Sequence, residues 1–276
     1  RACAKYQQLL LGPNGGTGLK MLADRGIEDD TIVRFGIGYA PDSWNTLSDD
    51  RSFAREHLIA GGLAVPRREK KGCYDFFRNR ILFPVRNDAG DVIGFGGRRI
   101  GNDGPKYLNT AETELYQKGR ILFGLQQARP AIRMTRSIIV CEGFFDVISP
   151  AQAGVEHIVS TCGTALTETQ AELVLSLADR VFFCFDGDSA GLKATWRAAE
   201  TLVPLASDHH EIRLCRLPDG EDPDSYVRHR GIAYFQQALD ASPTLTAYLI
   251  GEITRGAKIP EARARSLSVA ASLWRQ

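Results

Sequence analysis

Four short apolar runs in the second half of the chain constrain its architecture more than any other feature. They are Ser137-Ile138-Ile139-Val140-Cys141, Ile158-Val159-Ser160-Thr161, Val181-Phe182-Phe183-Cys184-Phe185 and Ile212-Arg213-Leu214-Cys215. A strand with one wet face alternates apolar and polar residues, whereas a continuously apolar strand belongs to a sheet covered on both faces, usually a parallel one. The stretches between the runs, 147–154, 167–178 and 190–203, have helical composition. The pattern is therefore β-α-β-α, and it predicts an α/β unit with a mostly parallel sheet flanked by helices.

The first half has a different period. Residues 1–40 read as helical segments broken by Gly, Pro and Asn at 12–18, with a helix over 29–35 that opens on Asp29 and Asp30. Residues 41–75 are mixed, with a helix over 50–60 and a basic stretch over 67–72. Ile81-Leu82-Phe83-Pro84-Val85-Arg86 and Asp91-Val92-Ile93-Gly94-Phe95-Gly96-Gly97-Arg98, joined by Asn87-Asp88-Ala89-Gly90, read as a hairpin. A boundary is expected near 130–136. It gives a mixed α+β N-terminal subdomain over 1–135, an α/β catalytic subdomain over 136–228 and a helical C-terminal segment over 229–276.

Open α/β sheets bind ligands at the carboxyl ends of their strands. The first apolar run ends in Glu142, with Asp146 one helical turn later. The third ends in Asp186-Gly187-Asp188, and the fourth is followed by Glu221, Asp222 and Asp224. Asp-Gly segments are also ordinary turn sequences, but three acidic loops in phase with three strand ends point further. Carboxylates gathered this closely raise each other's pKa unless a cation neutralises them. An all-oxygen set without His or Cys suits Mg²⁺ or Mn²⁺, and metal-assisted phosphoryl transfer is the matching chemistry. The six cysteines form no CxxC or CxxH pair, so no zinc is expected in this chain. Their apolar surroundings read as buried thiols of a cytoplasmic protein. No apolar run approaches the ~20 residues of a membrane span. The net charge of +1 leaves nucleic-acid binding to local clusters of Lys and Arg.

Three motifs, Glu142-Gly143-Phe144-Phe145-Asp146-Val147, Gly163-Thr164-Ala165-Leu166-Thr167 and Asp186-Gly187-Asp188-Ser189-Ala190-Gly191, resemble the signatures of a Toprim domain. Outside them, Phe35-Gly36-Ile37-Gly38-Tyr39-Ala40-Pro41, the 80–98 hairpin, Pro105-Lys106-Tyr107-Leu108-Asn109-Thr110, Tyr116–Gly124 and Leu217–Asp224 are similar to motifs of the bacterial DnaG-type primases. The resemblance runs in order from about 19 to 240. It implies a Toprim-type fold and an RNA polymerase that makes short primers on single-stranded DNA from NTPs. It also implies two or more bound Mg²⁺ or Mn²⁺ ions, with Glu142, Asp186 and Asp188 as catalytic metal ligands. Asp222 and Asp224 match acids of a further metal cluster, and Asp146 is a weaker ligand candidate.

For template and triphosphate phosphates the candidates are Arg34, Arg78, Arg80, Arg98, Arg99, Lys106, Lys118 and Arg120, with Asn109 a further nucleic-acid or NTP contact. Tyr107, beside Lys106 and Asn109, is placed either to stack on a base or to pack the hairpin. The glycines at 94, 96 and 97 lack the Gly-Lys-Ser/Thr ending of a P-loop, although their N–H groups are candidates for phosphate contact. The family's zinc-binding and helicase-binding domains are not visible, so contact with a replicative helicase is expected to need a C-terminal domain absent from this chain. A monomeric core at the nucleoid-associated replication fork, without membrane contact, completes the expectation. The rival readings are a Toprim nuclease using the same carboxylates and a non-catalytic single-strand-binding module. Pro150 falls where the helix after Glu142 should run, predicting that this helix starts near Asp146 or is distorted.

Overall fold

The structure, a computed structural model, describes residues 1–67 and 71–255. Residues 68–70 of the basic 67–72 stretch and the sequence beyond 255, including Trp274, therefore lie outside the described residues. The chain divides into two units, Arg1–Gln127 and Ala128–Gln276.

In the first unit, helices α1 (Ala2–Leu11), α2 (Gly16–Ala23) and α3 (Asp29–Phe35) lead into strand β1 (Gly38–Ala40). Asp29 and Asp30 occupy the first turn of α3 and Gly36 ends it at φ 70, a left-handed cap suited to glycine. Helix α4 (Arg55–Ala60) precedes β2 (Ala64–Pro66), β3 (Cys73–Asp75), β4 (Arg80–Arg86), β5 (Val92–Arg99) and β6 (Tyr107–Asn109). The predicted hairpin is the β4–β5 pair, in register Ile81 to Arg98 and Phe83 to Gly96. It forms the middle of an antiparallel sheet ordered β1-β4-β5-β6, because β1 and β6 cover its two edges. Tyr6, Leu47, Leu58, Phe77, Leu82 and Phe95 fill a core beneath it, with Tyr6 edge-on to Phe95 at 5.5 Å.

Helix α5 (Leu125–Thr135) spans the unit boundary. The second unit then runs β7 (Ser137–Cys141), α6 (Phe145–Gln152), β8 (Ile158–Ser160), α7 (Glu168–Leu177), β9 (Arg180–Phe185), α8 (Ser189–Leu202), β10 (Glu211–Arg216), α9 (Pro223–Arg230), α10 (Ile232–Asp240) and α11 (Leu245–Thr254). The four strands are parallel in the order β10-β9-β7-β8. Every residue of β7 and β8 is buried, as continuous apolar strands require. Thr167 and Gln170 form the capping box that starts α7. Pro150 is the sixth residue of α6 and forfeits only its bond to the Asp146 carbonyl; the helix starts at Phe145 and runs through it.

The first unit also buries a carboxylate. Asp75 is 0% exposed and accepts hydrogen bonds from Leu47 N (2.7 Å), Ser48 N (3.0 Å) and Ser48 Oγ (2.7 Å). Removing it strands two buried N–H donors in the 47–48 turn. Asp75→Ala is expected to lower unfolding free energy by about 3 kcal/mol and Ser48→Ala by about 1. Chemical denaturation midpoints check both, and wild-type stability in Asp75→Ala would show that the turn is held by something else.

Candidate active site

The second sheet has a switch point between β7 and β9. The chain leaves β7 to place β8 on one side and then crosses back to place β9 on the other. The crevice at such a point is where open α/β sheets bind ligands. Glu142 follows β7 directly, Asp186 follows β9, Asp188 is the N-cap of α8 and Asp222 is the N-cap of α9.

These carboxylates share one electrostatic environment. Burial, the Asp186 charge and the Asp188 charge push Glu142 up from 4.5 to about 7, against a lowering hydrogen bond from the Asp186 backbone. Asp146 is raised well above the carboxylate range by burial, then by Asp222, Asp186 and Asp224, although it accepts a hydrogen bond from Gly143 N at 2.8 Å. The buried Cys141 thiol is pushed up by burial and by Asp146, Asp186, Glu142 and Asp222. All the predicted acids therefore belong to one cluster, yet they are committed to different degrees. Asp188 accepts from Ala190 N and Gly191 N through Oδ1 alone. Asp222 Oδ1 accepts from Ser225 N at 2.7 Å. Asp224, 1% exposed, binds Arg228 through both oxygens and also accepts from Ser149 Oγ. Glu142 Oε1 is buried with no hydrogen-bond partner.

Two glycines make room for this arrangement. A Cβ on Gly187 would stand 2.0 Å from the Pro218 carbonyl oxygen, and its N–H donates to the Glu221 carbonyl at 3.0 Å. That contact ties the loop after β9 to the loop after β10. A Cβ on Gly143 would stand 2.7 Å from Asp146 Oδ2. Among the described residues, no three His, Cys, Asp or Glu side chains are gathered tightly enough to hold an ion as they stand. The donor set nevertheless fits a hard cation: it is all oxygen, mutually repulsive, and includes the unpartnered Glu142 Oε1.

The basic candidates lie in the first unit and separate into groups. Arg98 and Tyr107 are cross-strand partners on β5 and β6, with the guanidinium 5.0 Å and the Lys106 ammonium 5.9 Å from the Tyr107 ring centroid. Asn109 pairs with Gly96 on the same two strands. Arg80 is buried, 5% exposed, and donates to the Gly97 and Pro105 carbonyls at 3.1 and 2.9 Å. Burial and the nearby Arg99 and Arg78 charges lower its pKa. Arg78 lies 3.9 Å over the Trp44 ring and 5.6 Å from Tyr74, an aromatic face that sequence reading missed. Only the Trp44 in Pro41-Asp42-Ser43-Trp44, an aromatic in a turn, could have hinted at it. Arg34 sits on the last turn of α3 over Phe35, and Lys118 and Arg120 bound a short 3-10 turn. The glycine run is explained by packing: Gly94 abuts Tyr116, and Gly97 abuts Phe77 and Arg80. Gly96 and Gly97 sit between β4 and β6 with ladder neighbours on both sides, which removes their N–H groups as phosphate donors.

Two family models match the chain: the DNA primase catalytic core, N-terminal domain, over 5–129, and a Toprim-like model over 139–227. The chain is 38% identical to the DNA primase of Escherichia coli K12 over 98% of its own length and 47% of that protein, so it spans about half the length of the curated relatives it matches. It superposes on the crystal structure of a DNA primase domain from Pseudomonas aeruginosa with a TM-score of 0.94, at 36% identity over 99% of this chain and 88% of that one. It is also similar to a DnaG primase catalytic domain bound to single-stranded DNA, with a TM-score of 0.91, 37% identity, and coverage of 99% and 86%.

The raised Glu142 and Asp146 fix a sign. A carboxyl whose folded pKa lies above its unfolded value holds its proton more tightly in the folded state. Its contribution is complete below 4.5 and lost as pH rises through about 7. The metal-free chain is therefore expected to melt roughly 3–6 °C lower at about pH 8 than at about pH 5. Glu142→Gln should recover part of that loss at the higher pH, and Mg²⁺ should recover it in the wild type only. A flat melting profile would show that the carboxylates do not repel one another.

Proposed function

The chain belongs to the DnaG-type DNA primase catalytic-core family, and we propose that it is an RNA-polymerising core that builds short primers on single-stranded DNA. The observation that carries this reading is the meeting of Glu142, Asp186 and Asp188 at the β7/β9 switch point of a Toprim-type sheet. The reaction is nucleotidyl transfer from NTPs, in the replication machinery of the cytoplasm. The relative bound to single-stranded DNA supports such a strand as template.

Glu142, Asp186 and Asp188 would hold Mg²⁺ or Mn²⁺, which supplies charge neutralisation at the triphosphate when bound. Each of these residues is suited to a part of that task. Asp188 spends one oxygen on the α8 cap, so its carboxylate is fixed in direction. Glu142 brings an unpartnered oxygen, Oε1. Asp222 and Asp146 bear on the same environment from α9 and α6. Asp224 is a positioning residue, because Arg228 and Ser149 already engage both of its oxygens. We assign catalysis to 136–228 and template contact to the N-terminal subdomain, where Arg98, Lys106, Tyr107 and Asn109 share the β5–β6 edge. Arg80 pins that edge to the 97–105 loop from inside, and Arg78, Arg34 and Lys118 add positive charge.

Primer synthesis with labelled NTPs on single-stranded DNA tests the reading. The wild type should make short RNA with Mg²⁺ or Mn²⁺, and Asp186→Asn should lose about a hundredfold or more of the rate. Template shortening without RNA would overturn it in favour of a nuclease. On the template side, log affinity should fall with log salt by ~0.7 per phosphate contact, and Arg98→Ala should reduce that slope by about one contact. Tyr107→Ala should weaken binding by about 1–3 kcal/mol without altering the slope, the signature of a stacked base. Equal slopes in wild type and Arg98→Ala would remove Arg98 from the template groove.

A further inference from the structure

Beside the acidic cluster, α8 presents two cations that neither the sequence motifs nor the carboxylate chemistry has absorbed. Lys193 and Arg197 stand four residues apart, so their side chains share one face of the helix, and both are exposed. Among the described residues neither side chain has an ion pair or hydrogen bond. Several other exposed arginines of this unit are paired, among them Arg136 with Asp179, Arg180 with Glu211 and Arg216 with Asp219. Like charges one turn apart repel mildly, and among the described residues neither is ion-paired with a carboxylate.

Both side chains line a cavity of about 260 Å³. Its other walls include Glu142 at the end of β7, Phe185 at the end of β9, and Gly163, Thr164, Ala165 and Leu166 in the loop after β8. That loop is braced. The hydroxyls of Thr161 and Thr164 each donate to the other residue's carbonyl at 2.7 Å, and Gly163 N donates to the Glu142 carbonyl at 2.7 Å. The wall opposite the two cations is thus fixed to the backbone of Glu142 itself.

We infer that Lys193 and Arg197 form the polyphosphate seat of this site and bind the β- and γ-phosphates of a nucleoside triphosphate, or free pyrophosphate. Three features select this ligand chemistry. Two unpaired cations one turn apart match the spacing of successive phosphates on one chain. The cavity is walled by a loop and a helix, which suits a terminal group better than a strand passing through. It also contains Glu142, so an anion seated here lies next to the carboxylates that would hold a divalent ion. The inference rests on the polymerase reading for its physiological ligand, but the pocket and its charges stand independently of it.

The test is isothermal titration of pyrophosphate and of ATP, each with Mg²⁺, into the wild-type chain, Lys193→Ala/Arg197→Ala, Lys193→Glu/Arg197→Glu and Lys193→Arg, with single-stranded DNA affinity measured by anisotropy in parallel. Both residues are exposed on a helix, so the variants should fold, and far-UV circular dichroism checks it. The expected result is a loss of about tenfold or more in affinity for both polyphosphates in the double-alanine variant, a larger loss on charge reversal, retention in Lys193→Arg, and unchanged DNA affinity. Unchanged polyphosphate affinity in the double variants overturns the inference, as does a wild type that binds neither ligand. Lost DNA affinity with polyphosphate binding intact also overturns it and makes the pair template contacts. Pyrophosphate binding through the pair in a wild type that makes no RNA would keep the seat and sink the polymerase reading. RNA synthesis with an unaltered NTP KM in the double variant would do the reverse.

Discussion

Mutual repulsion among carboxylates at one sheet edge governs the second unit. Parallel strands that reverse order around β7 deliver Glu142, Asp186, Asp188 and the α9 acids to one crevice, and burial strengthens every charge–charge term there. The surrounding structure can be read as the means of tolerating it. Asp188 and Asp222 face the positive ends of α8 and α9 through their caps. Arg228 holds Asp224. Gly187 lets the loops after β9 and β10 touch backbone to backbone, where any side chain would force them apart. What remains uncompensated is concentrated on Glu142 and Asp146, and that residue of unfavourable charge is what a hard cation would relieve.

Most of the α/β half was legible because its signals are local. Four apolar runs became four strands within a residue or two of their expected ends, and the helices between them followed. The Thr167/Gln170 box could be read from spacing alone. In the first unit the helix over 29–35 was legible as α3, but the antiparallel sheet only as its central hairpin. β1 and β6 are three residues each, too short to show a period, and their pairing depends on contacts distant in sequence. Pro150 invited a helix that starts near Asp146 or is distorted; α6 starts at Phe145 and runs on through Pro150, whose sixth position sacrifices a single bond.

The placement of the acids at one sheet edge was legible in the sequence, and their hydrogen-bond partners were not. Sequence places carboxylates at strand ends but says nothing about which oxygen a backbone N–H will claim, because that is decided by loops of different strands meeting. The same limit applies to the cations. Arg80 and Arg98 lie on paired strands and look alike in sequence, yet one is interior and bonded to two carbonyls while the other lies against Tyr107. The glycines between them look like a phosphate loop until Tyr116 and Phe77 are seen to occupy the space a Cβ would need. Lys193 and Arg197 gave no signal, since a Lys and an Arg four apart are ordinary on a solvated helix face. Only the loop after β8, folded opposite them, makes the pair a wall of a cavity.

The distribution of hydrogen bonds orders the acids from structural to reactive. Asp224 has both oxygens engaged by Arg228 and Ser149 and is nearly inaccessible. Asp146 is tied to Gly143 and buried. Asp222 and Asp188 each spend one oxygen on a helix cap, which fixes the direction of the other without occupying it. Glu142 keeps a buried oxygen with no partner at all, and it alone also lines the cavity with the two α8 cations. A carboxylate that caps a helix cannot swing away from an ion. One held by an arginine would have to give up a compensated pair to reach one. Glu142 can offer Oε1 without giving up the hydrogen bond it accepts from the Asp186 backbone, and its position beside the cationic wall makes it the residue through which metal and phosphate chemistry would meet.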